Sequence, residues 1–228
     1  MLKSVDLETK LKDPSLLKKQ AYLNGKWVGA KSGKTFPVYN PSTGEVIADV
    51  PDMGVEDLQV AIDGAYKAQK MWAAKTGKER AGILKKWNDL MVENADDLAI
   101  ILTAEMGKPL AEARGEIVYG ASFIEWFAEE AKRVYGETIP GHQPDKRIMV
   151  IKQPVGVVAS ITPWNFPNAM ITRKAGPALA SGCAFVAKPA GETPLSGLVM
   201  VELAERAGVP AGVFSMITSK RSSDIGKE

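Results

Sequence analysis

The spacing of hydrophobic residues changes along the chain and predicts two kinds of structure. Between Val55 and Gly136, apolar residues recur three and four positions apart, which predicts successive amphipathic helices. From Gly156 onward, short apolar runs alternate with helical stretches at Ala169 to Ser181 and Pro194 to Ala207. Buried strands joined by helices imply parallel pairing with right-handed crossovers, so this part predicts the first half of a doubly wound α/β sheet. The runs are Val157 to Ile161, Cys183 to Ala187 and Val213 to Ile217.

The segment before the helices predicts hairpins. Residues 14 to 50 have the pattern of a short helix followed by edge strands, with a hairpin signal at Asn24-Gly25 and a second turn at Asn40 to Gly44. Within the helical region, Asn94 is a predicted N-cap, and Pro109 suits the first turn of a long helix that runs to about Tyr135.

The segment from Asp145 to Val155 has charged residues around the apolar Ile148 to Ile151, which predicts an edge strand or antiparallel ribbon suited to subunit contact. The chain therefore divides into residues 1–136 (strands and helices), 137–155 (an antiparallel ribbon of oligomerisation type) and 156–228 (half of a dinucleotide-binding sheet).

Four aromatic residues recur at helical spacing on the predicted long helix. Such a row is either a stripe facing the core or the wall of a binding site, and we favour the core stripe. The four are Tyr119, Phe123, Trp126 and Phe127.

Composition narrows the class of protein. The 228 residues are 45% hydrophobic and 25% charged, with 29 basic and 27 acidic side chains, which excludes disorder, collagen-like repeats and a membrane span. A formal net charge of +2 with interspersed signs offers no face for nucleic acid or an anionic membrane, so we expect a small-molecule substrate.

Cysteine and histidine usage adds three expectations. The single cysteine, Cys183, forms no internal disulfide, and Met1 to Asp6 lack the apolar run of a secretory signal, so we expect a cytoplasmic protein. Cys183 opens a buried-type strand and is interpreted as a small hydrophobe rather than a nucleophile. The chain has a single histidine, His142, which lies in a predicted turn. Because there is only one, a zinc site with several histidines is excluded, and no metal site is predicted.

Ligands of a doubly wound sheet bind at the carboxyl ends of the strands, which are followed here by Thr162 to Pro167, Lys188 to Pro194 and Thr218 to Gly226. The chain has neither G-x-G-x-x-G nor a Walker A loop. Lys188 can donate to ribose hydroxyls or phosphate, with room left by Gly191. The alternative is a solvated lysine before a Thr193 N-cap.

Several motifs together resemble the aldehyde dehydrogenase superfamily, most closely its succinate-semialdehyde dehydrogenases. They cover nearly the whole chain in the expected order. They are Leu23-Asn24-Gly25-Lys26-Trp27, Asn40-Pro41, Glu105-Met106-Gly107-Lys108-Pro109-Leu110, Gly120 to Glu130, Ile161-Thr162-Pro163-Trp164-Asn165-Phe166-Pro167, Met170 to Lys174, Lys188-Pro189-Ala190 and Ala207 to Phe214.

The resemblance implies an enzyme that oxidises an aldehyde by cysteine attack, hydride transfer to NADP or NAD, and thioester hydrolysis. It assigns Asn165 as the side-chain donor to the oxyanion, a role in which one donor contributes roughly a hundred- to thousandfold in rate. Without the motif, Asn165 would be interpreted as a turn residue. The resemblance also implies a homodimer or homotetramer. It places the cofactor against Ile161, Thr162, Pro163, Trp164, Lys188, Pro189, Ala190 and Gly191.

Two positions refine the expected substrate and cofactor. Many NAD-dependent relatives have a glutamate in place of Gly191; without that carboxylate, and with positive charge from Lys188, Lys220 and Arg221, we expect NADP to be accepted. Arg173 follows Asn165 by eight residues, about two turns down the same predicted helix, and a guanidinium there suits an aldehyde that carries a carboxylate. The alternative is a helix-surface arginine. Phe166 completes the expected substrate site.

The family's nucleophilic cysteine and general-base glutamate lie downstream of the matched segment. Residues 217–226 also replace a glycine-rich turn that many relatives have after the third strand. We therefore expect an amino-terminal half without dehydrogenase turnover of its own. The alternative is a non-catalytic module that binds a nucleotide or a partner subunit.

Overall fold

The carboxyl-terminal third forms the predicted parallel sheet. The computed structural model describes residues 7–227, and in it the three apolar runs become β7 (Val157–Ile161), β8 (Ala184–Lys188) and β9 (Phe214–Met216). Helix α5 (Ala169–Ala180) joins β7 to β8, and α6 (Pro194–Ala207) joins β8 to β9. Both strand pairs are parallel, with β8 between the other two, which confirms the prediction and leaves β7 at one edge of the sheet.

The amino-terminal hairpin extends this sheet, which the sequence did not predict. Strands β1 (Ala21–Leu23) and β2 (Lys26–Val28) are joined at Asn24 and Gly25, both of which have positive φ, as a tight hairpin turn requires. β1 pairs antiparallel with β9 through Tyr22 and Met216. The sheet order is therefore β2-β1-β9-β8-β7, with only β2 of the hairpin at an edge. A second hairpin, β3 (Thr35–Tyr39) and β4 (Val46–Pro51), turns at residues 40–44, and the predicted short helix is a 3-10 turn at Pro14–Leu16.

Helices cover both faces of the sheet. Helices α2 (Gly77–Glu93), α3 (Ala95–Met106) and α4 (Leu110–Glu130) pack with α5 and α6 on one face, and α1 (Val55–Ala73) covers the other. The side chains of β8 alternate accordingly, since successive residues of a strand point to opposite faces. Phe185 and Ala187 join the core under α5 and α6, while Ala184 and Val186 join the core under α1.

The predicted end of the long helix was wrong, and the predicted N-cap at Asn94 is right in position but not in its hydrogen bond. The long helix ends at Glu130 and not near Tyr135, because Val134 and Tyr135 find no buried surface and remain exposed where the chain leaves the helices. Asn94 occupies the N-cap position of α3, but its side chain donates to the carbonyl of Leu90 and so caps the end of α2 instead. The length of a helix depends on whether a neighbouring surface buries its next residues, and the hydrogen bond of a capping side chain depends on which backbone groups are within reach.

An exposed ribbon follows α4. Strands β5 (Glu137–Pro140) and β6 (Arg147–Val150) pair antiparallel, and every one of their residues is exposed. His142 lies exposed in the turn between them. The last helix is a single turn, α7 (Ser222–Ile225).

None of the helices in residues 7–227 combines the length and the apolar character that crossing a membrane requires. The same part of the chain contains no cluster of metal-ligating side chains. The segment Met1 to Asp6, from which the cytoplasmic location was predicted, lies outside the described residues.

Candidate functional site

Two loops meet at the carboxyl edge of the parallel sheet. The backbone N–H of Thr162, just after β7, donates a 3.1 Å hydrogen bond to the carbonyl of Lys188, the last residue of β8. This bond places the predicted oxyanion loop, 162–167, beside the predicted cofactor loop, 188–193. Residues 26 positions apart are neighbours here because parallel strands end at the same edge.

Lys188 is a buried cation with one weak partner. Its side chain follows Ala184 and Val186 onto the α1 face of the sheet, and it is only 3% exposed, so the interpretation as a solvated lysine was wrong. Among residues 7–227 its ammonium donates only to the carbonyl of Pro189, at 3.2 Å. Burial lowers the pKa of Lys188, and the nearby carboxylates of Glu192 and Asp52 oppose that shift. Such a cation is satisfied by a ligand that accepts hydrogen bonds.

The same edge of the sheet contains further buried polar atoms. The hydroxyl oxygens of Ser160, Thr162 and Thr193 are buried and have no hydrogen-bond partner in the described part of the chain. A cavity of about 260 Å³ runs from Lys188 and Ile161 along β7 to Gly226. Unpaired buried hydroxyls, a buried ammonium and a cavity at one edge of the sheet fit a ligand rich in oxygen, such as the ribose and phosphates of a dinucleotide.

The cofactor loop borders a second cavity at Gly191. This cavity measures about 440 Å³, and Gly191, Glu192, Lys220 and Ser222 are among the residues that line it. A Cβ at Gly191 would lie 3.4 Å from Cγ of Lys220, an ordinary contact, so the position accepts a side chain. Pro189 is buried, and Ala190 and Gly191 are half-buried.

The structure separates the two other cations that were grouped with Lys188. Lys220 lies beside Gly191, with its ammonium 5.5 Å from the ring centroid of Phe36. Arg221 turns away to Asp52, donating to its carbonyl at 3.2 Å and approaching its carboxylate at 3.7 Å. The stem of Lys220 therefore borders Gly191 and its ammonium has no ion-pair partner within residues 7–227, whereas the charge of Arg221 is compensated by Asp52.

Asn165 lies in a turn before α5 and not on the helix, which begins at Ala169. Its carboxamide is exposed and has no hydrogen-bond partner within residues 7–227, so it is available to a ligand. Ile161, Trp164 and Phe166 beside it are 52%, 54% and 38% exposed, a large apolar surface for one loop. Pro163 is also exposed, and Thr162 is buried.

Arg173 lies one turn into α5, on a helix that does not include Asn165, and faces the aromatic residues of α4. Its guanidinium carbon is 5.5 Å from the ring centroid of Phe123, whose ring meets that of Tyr119 edge to face at 4.7 Å. Arg173 is exposed and forms no ion pair within the described residues. An exposed guanidinium against an aromatic face is free to bind a carboxylate.

The aromatic row on α4 is not a core stripe, so that prediction was wrong. Tyr119 and Trp126 are 49% and 65% exposed, and Phe123 and Phe127 are half-buried. The core face of α4 consists mainly of small and aliphatic residues instead, and of the four rings Phe127 packs at the edge of the core beside Gly176 of α5. The small and aliphatic residues are Ala113, Ile117, Gly120, Ala121, Ile124 and Ala128.

Two buried glutamates, which the sequence reasoning missed, anchor the helices that follow the two loops. Glu105 on α3 accepts hydrogen bonds from the backbone N–H groups of Leu195 and Ser196 at the start of α6. Glu116 on α4 accepts from the N–H groups at the start of α5. Each carboxylate supplies a cap from a distant helix. The available signal was an acid on an apolar helix face: Glu105 follows Ile101 and Leu102 by one turn.

Burial raises the pKa of Glu105 to about 8, and the hydrogen bonds from Ser196 and Leu195 limit the rise. Thr193 occupies the predicted N-cap position of α6, but its hydroxyl forms no cap bond because Glu105 has taken that role.

Comparison with known proteins agrees with this architecture. Residues 27–228 match the family model of the aldehyde dehydrogenase family. The chain is 62% identical over 218 residues to a glutarate-semialdehyde dehydrogenase of Pseudomonas aeruginosa, and 59% identical over 219 residues to an NADP-dependent succinate-semialdehyde dehydrogenase of Escherichia coli. Each alignment covers 96% of this chain.

A crystal structure of an aldehyde dehydrogenase from Brucella melitensis biovar abortus superposes with a TM-score of 0.93 at 61% identity, covering 95% of this chain and 44% of that one. The chain spans about 45% of the length of the two curated relatives. The match to the family model extends over most of the chain and includes both loops of the site. The chain belongs to the aldehyde dehydrogenase family.

Proposed function

We propose that this chain is the amino-terminal part of an NAD(P)-dependent dehydrogenase of a carboxylated aldehyde, with succinate semialdehyde as the substrate and NADP as the accepted cofactor. The observation that carries the proposal is the pairing of two loops at one sheet edge. One presents the free carboxamide of Asn165, and the other presents the buried, poorly partnered ammonium of Lys188.

Asn165 acts as the oxyanion donor. When a thiolate adds to an aldehyde, the carbonyl oxygen gains negative charge, and an amide N–H aimed at that oxygen stabilises the transition state. The carboxamide of Asn165 is suited to this because no other group in residues 7–227 occupies its hydrogen-bonding capacity. Trp164 and Phe166 present apolar surface on either side of it, which reduces access of water to the reacting carbon.

Lys188 binds the ribose of the cofactor. A nicotinamide cofactor, when bound, accepts the hydride that leaves the aldehyde carbon. Lys188 donates to ribose oxygens, and Gly191 leaves open the space in which a carboxylate would repel a 2′-phosphate. The ammonium of Lys220 adds attraction for that phosphate. These features support NADP over NAD.

Arg173 selects the substrate. Its guanidinium carries no ion pair in the described structure and rests on Phe123, so it can take a carboxylate in a bidentate geometry. The names of the relatives, glutarate- and succinate-semialdehyde dehydrogenase, denote aldehydes that carry a carboxylate at the far end. Succinate semialdehyde is proposed among such aldehydes on the resemblance to succinate-semialdehyde dehydrogenases, and the far carboxylate, not the chain length, is the feature that Arg173 supports.

The covalent chemistry belongs to residues outside this chain. Its one cysteine, Cys183, is 3% exposed and packed before β8, so it is a structural residue and not a nucleophile. We therefore expect no dehydrogenase turnover from the 228 residues alone. A cytoplasmic location, the oligomerisation role of the β5–β6 ribbon and a dimeric or tetrameric assembly are further parts of the proposal.

The test is an assay of the complete reading frame that contains this chain. Purified full-length protein is assayed with succinate semialdehyde and with an uncharged aldehyde of equal length, each with NADP and with NAD. We expect the highest kcat/KM for succinate semialdehyde with NADP, and a fall of roughly a hundredfold or more in kcat for Asn165→Ala. Binding of NADP without turnover of any aldehyde would support the non-catalytic module instead. Reduction of NADP by the 228-residue chain would contradict the assignment of the chemistry to later residues.

A further inference from the structure

One ammonium group connects the turn that carries Asn165 to the start of α4. The Nζ atom of Lys108 donates a 3.1 Å hydrogen bond to the backbone carbonyl of Asn165. The same Nζ lies 3.9 Å from the ring centroid of Phe166 and forms an ion pair with the carboxylate of Glu116. The side chain of Lys108 is 9% exposed, so these contacts are formed largely out of water.

Glu116 forms hydrogen bonds with the other end of the same turn. Its side chain is 1% exposed and accepts hydrogen bonds from the backbone N–H groups of Asn168, at 2.9 Å, and Ala169, at 3.3 Å. The turn 165–169 is thus held at its first residue by Lys108 and at its last two by Glu116. A buried carboxylate with one cationic partner and two N–H donors satisfies the conditions under which a buried ion pair persists.

The backbone of Lys108 is itself held by two helices. Gly107 ends α3 in the left-handed region, with φ at 81°, and Pro109 precedes α4, so Lys108 occupies a short link between packed helices. Because the backbone of Lys108 is fixed and its charge is compensated by Glu116, its side chain holds a defined position. The carboxamide of Asn165 has no partner of its own within the described residues, so its direction depends on this support of its backbone.

We propose that Lys108, oriented by Glu116, is a positioning residue that fixes the backbone of Asn165 and so aims its carboxamide at the reacting oxygen. This inference rests on the oxyanion role proposed for Asn165. Neither residue touches substrate: Lys108 acts through the carbonyl of Asn165, and Glu116 acts through Lys108 and the start of α5. An oxyanion donor contributes only when it is held close to its productive geometry, since small displacements weaken a hydrogen bond steeply.

The first test is a double-mutant cycle in the full-length enzyme, measured as kcat and KM. We expect Lys108→Met to lower kcat about tenfold, part of the effect of removing the donor, with little change in the KM for NADP. In an Asn165→Ala background the same change should lower kcat less than about twofold, because the donor is already absent. If Lys108→Met lowers kcat by the same factor with and without Asn165→Ala, Lys108 acts independently of Asn165, and the inference is overturned.

Loss of Lys108 also leaves Glu116 with an uncompensated buried charge, so a second variant separates positioning from folding. Lys108→Met combined with Glu116→Gln removes both charges and keeps an acceptor oxygen for Asn168. We expect this double variant to recover the Tm that Lys108→Met loses while kcat stays low. Recovery of kcat together with Tm would reduce Lys108 to a structural ion pair. Lys85→Met, at an exposed lysine of α2, is the matched control and should change neither quantity.

The third measurement does not depend on activity. Hydrogen exchange, followed by mass spectrometry, is measured in the full-length protein and in the variant that combines Lys108→Met with Glu116→Gln. Two peptides are compared, one covering residues 160–168 and one covering residues 171–180. We expect several-fold faster exchange in the first peptide only. Unchanged exchange there would overturn the inference even in an active enzyme. If the unmodified enzyme oxidises no aldehyde, the role proposed for Asn165 fails, and the exchange data alone decide whether Lys108 fixes the turn.

Discussion

The carboxylate of Glu105 accepts a 2.7 Å hydrogen bond from the backbone N–H of Ser196, a residue 91 positions further along the chain. A second bond of 2.8 Å comes from the N–H of Leu195. Helix α6 begins directly after the loop of Lys188, so a buried acid of α3 fixes the end of the cofactor loop. Glu116 does the same for α5 and the loop of Asn165.

The buried acid makes stability depend on pH. Burial raises the pKa of Glu105 to about 8 from an ordinary value of 4.5, so the folded protein binds this proton more tightly than the unfolded chain does. The contribution of Glu105 to the free energy of unfolding is therefore fully present below the unfolded pKa and is lost as pH rises through the folded pKa. Glu105→Gln keeps an acceptor oxygen and removes the titration. We expect the unfolding free energy of the original protein, relative to this variant, to fall from about pH 5 to about pH 8 in urea unfolding experiments.

Glu125→Gln, at an exposed position of α4, is the control for the pH series, and its difference from the original protein should not depend on pH in the same way. The measured quantity is the unfolding free energy of the original protein minus that of Glu105→Gln. If it stays level or grows with pH, the two N–H donors lower the pKa of Glu105 by more than burial raises it, which would contradict the prediction.

Lys188→Met tests whether the buried ammonium lowers the stability of the fold while it raises the affinity for the cofactor. A buried ammonium with one carbonyl partner costs free energy, and an unbranched apolar side chain fills the same space, so we expect the free energy of unfolding to rise by ~1 kcal/mol. We expect the affinity for NADP to fall at least about tenfold, since hydrogen bonds to a charged group are lost. Calorimetric unfolding and isothermal titration measure the two quantities. Lys26→Met, on the exposed edge strand, should leave both unchanged; lower stability of Lys188→Met would contradict the prediction.

Gly191→Glu tests the basis of cofactor choice. The position has room for a side chain and does not have a positive φ, so the change should fold normally. A carboxylate there repels a 2′-phosphate, and we expect the ratio of NADP to NAD affinity to fall at least about tenfold. Gly191→Gln has nearly the same shape without the charge and should shift the ratio much less. Equal shifts in the two variants would mean that space, not charge, decides.

Arg173→Ala tests substrate selection. We expect kcat/KM for succinate semialdehyde to fall by about a hundredfold, the value of a bidentate ion pair, while kcat/KM for an uncharged aldehyde changes little. Arg173→Lys keeps the charge but loses the planar fork and should recover only part of the preference. An unchanged preference in Arg173→Ala would remove Arg173 from the substrate site.

A pair of glycines on α4 tests the packing beneath the oxyanion loop. A Cβ at Gly120 would overlap the carboxamide oxygen of the buried Asn168, whereas a Cβ at Gly115 meets nothing within 4 Å. We expect Gly120→Ala to destabilise the protein by about 1 to 3 kcal/mol through overpacking. Gly115→Ala should stabilise it by about 0.5 to 1 kcal/mol, since alanine loses less backbone entropy in a helix. Urea unfolding gives both values, and similar effects at the two positions would contradict the packing seen here.

Local pattern predicted much of the fold. The strand at Val157 to Ile161 and the helix at Pro194 to Ala207 have the predicted bounds, because an apolar run and a helical period are properties of consecutive residues. The placement of Lys188 and Gly191 at a strand's carboxyl end followed from the same pattern. The outward-facing rings of α4 did not, because apolar spacing alone does not say which surface a neighbouring helix will cover.

By itself, the sequence determined the α/β class, the parallel pairing of the three strands and the loops that contain the candidate ligand-binding residues, all of which depend on short stretches of chain. Only the tertiary structure decided that the amino-terminal hairpin joins β9, that Glu105 and Glu116 cap helices 91 and 52 residues away, and that Lys108 supports Asn165. The physical reason is that these contacts join segments far apart in the chain, and their partners are selected by which surfaces packing brings together.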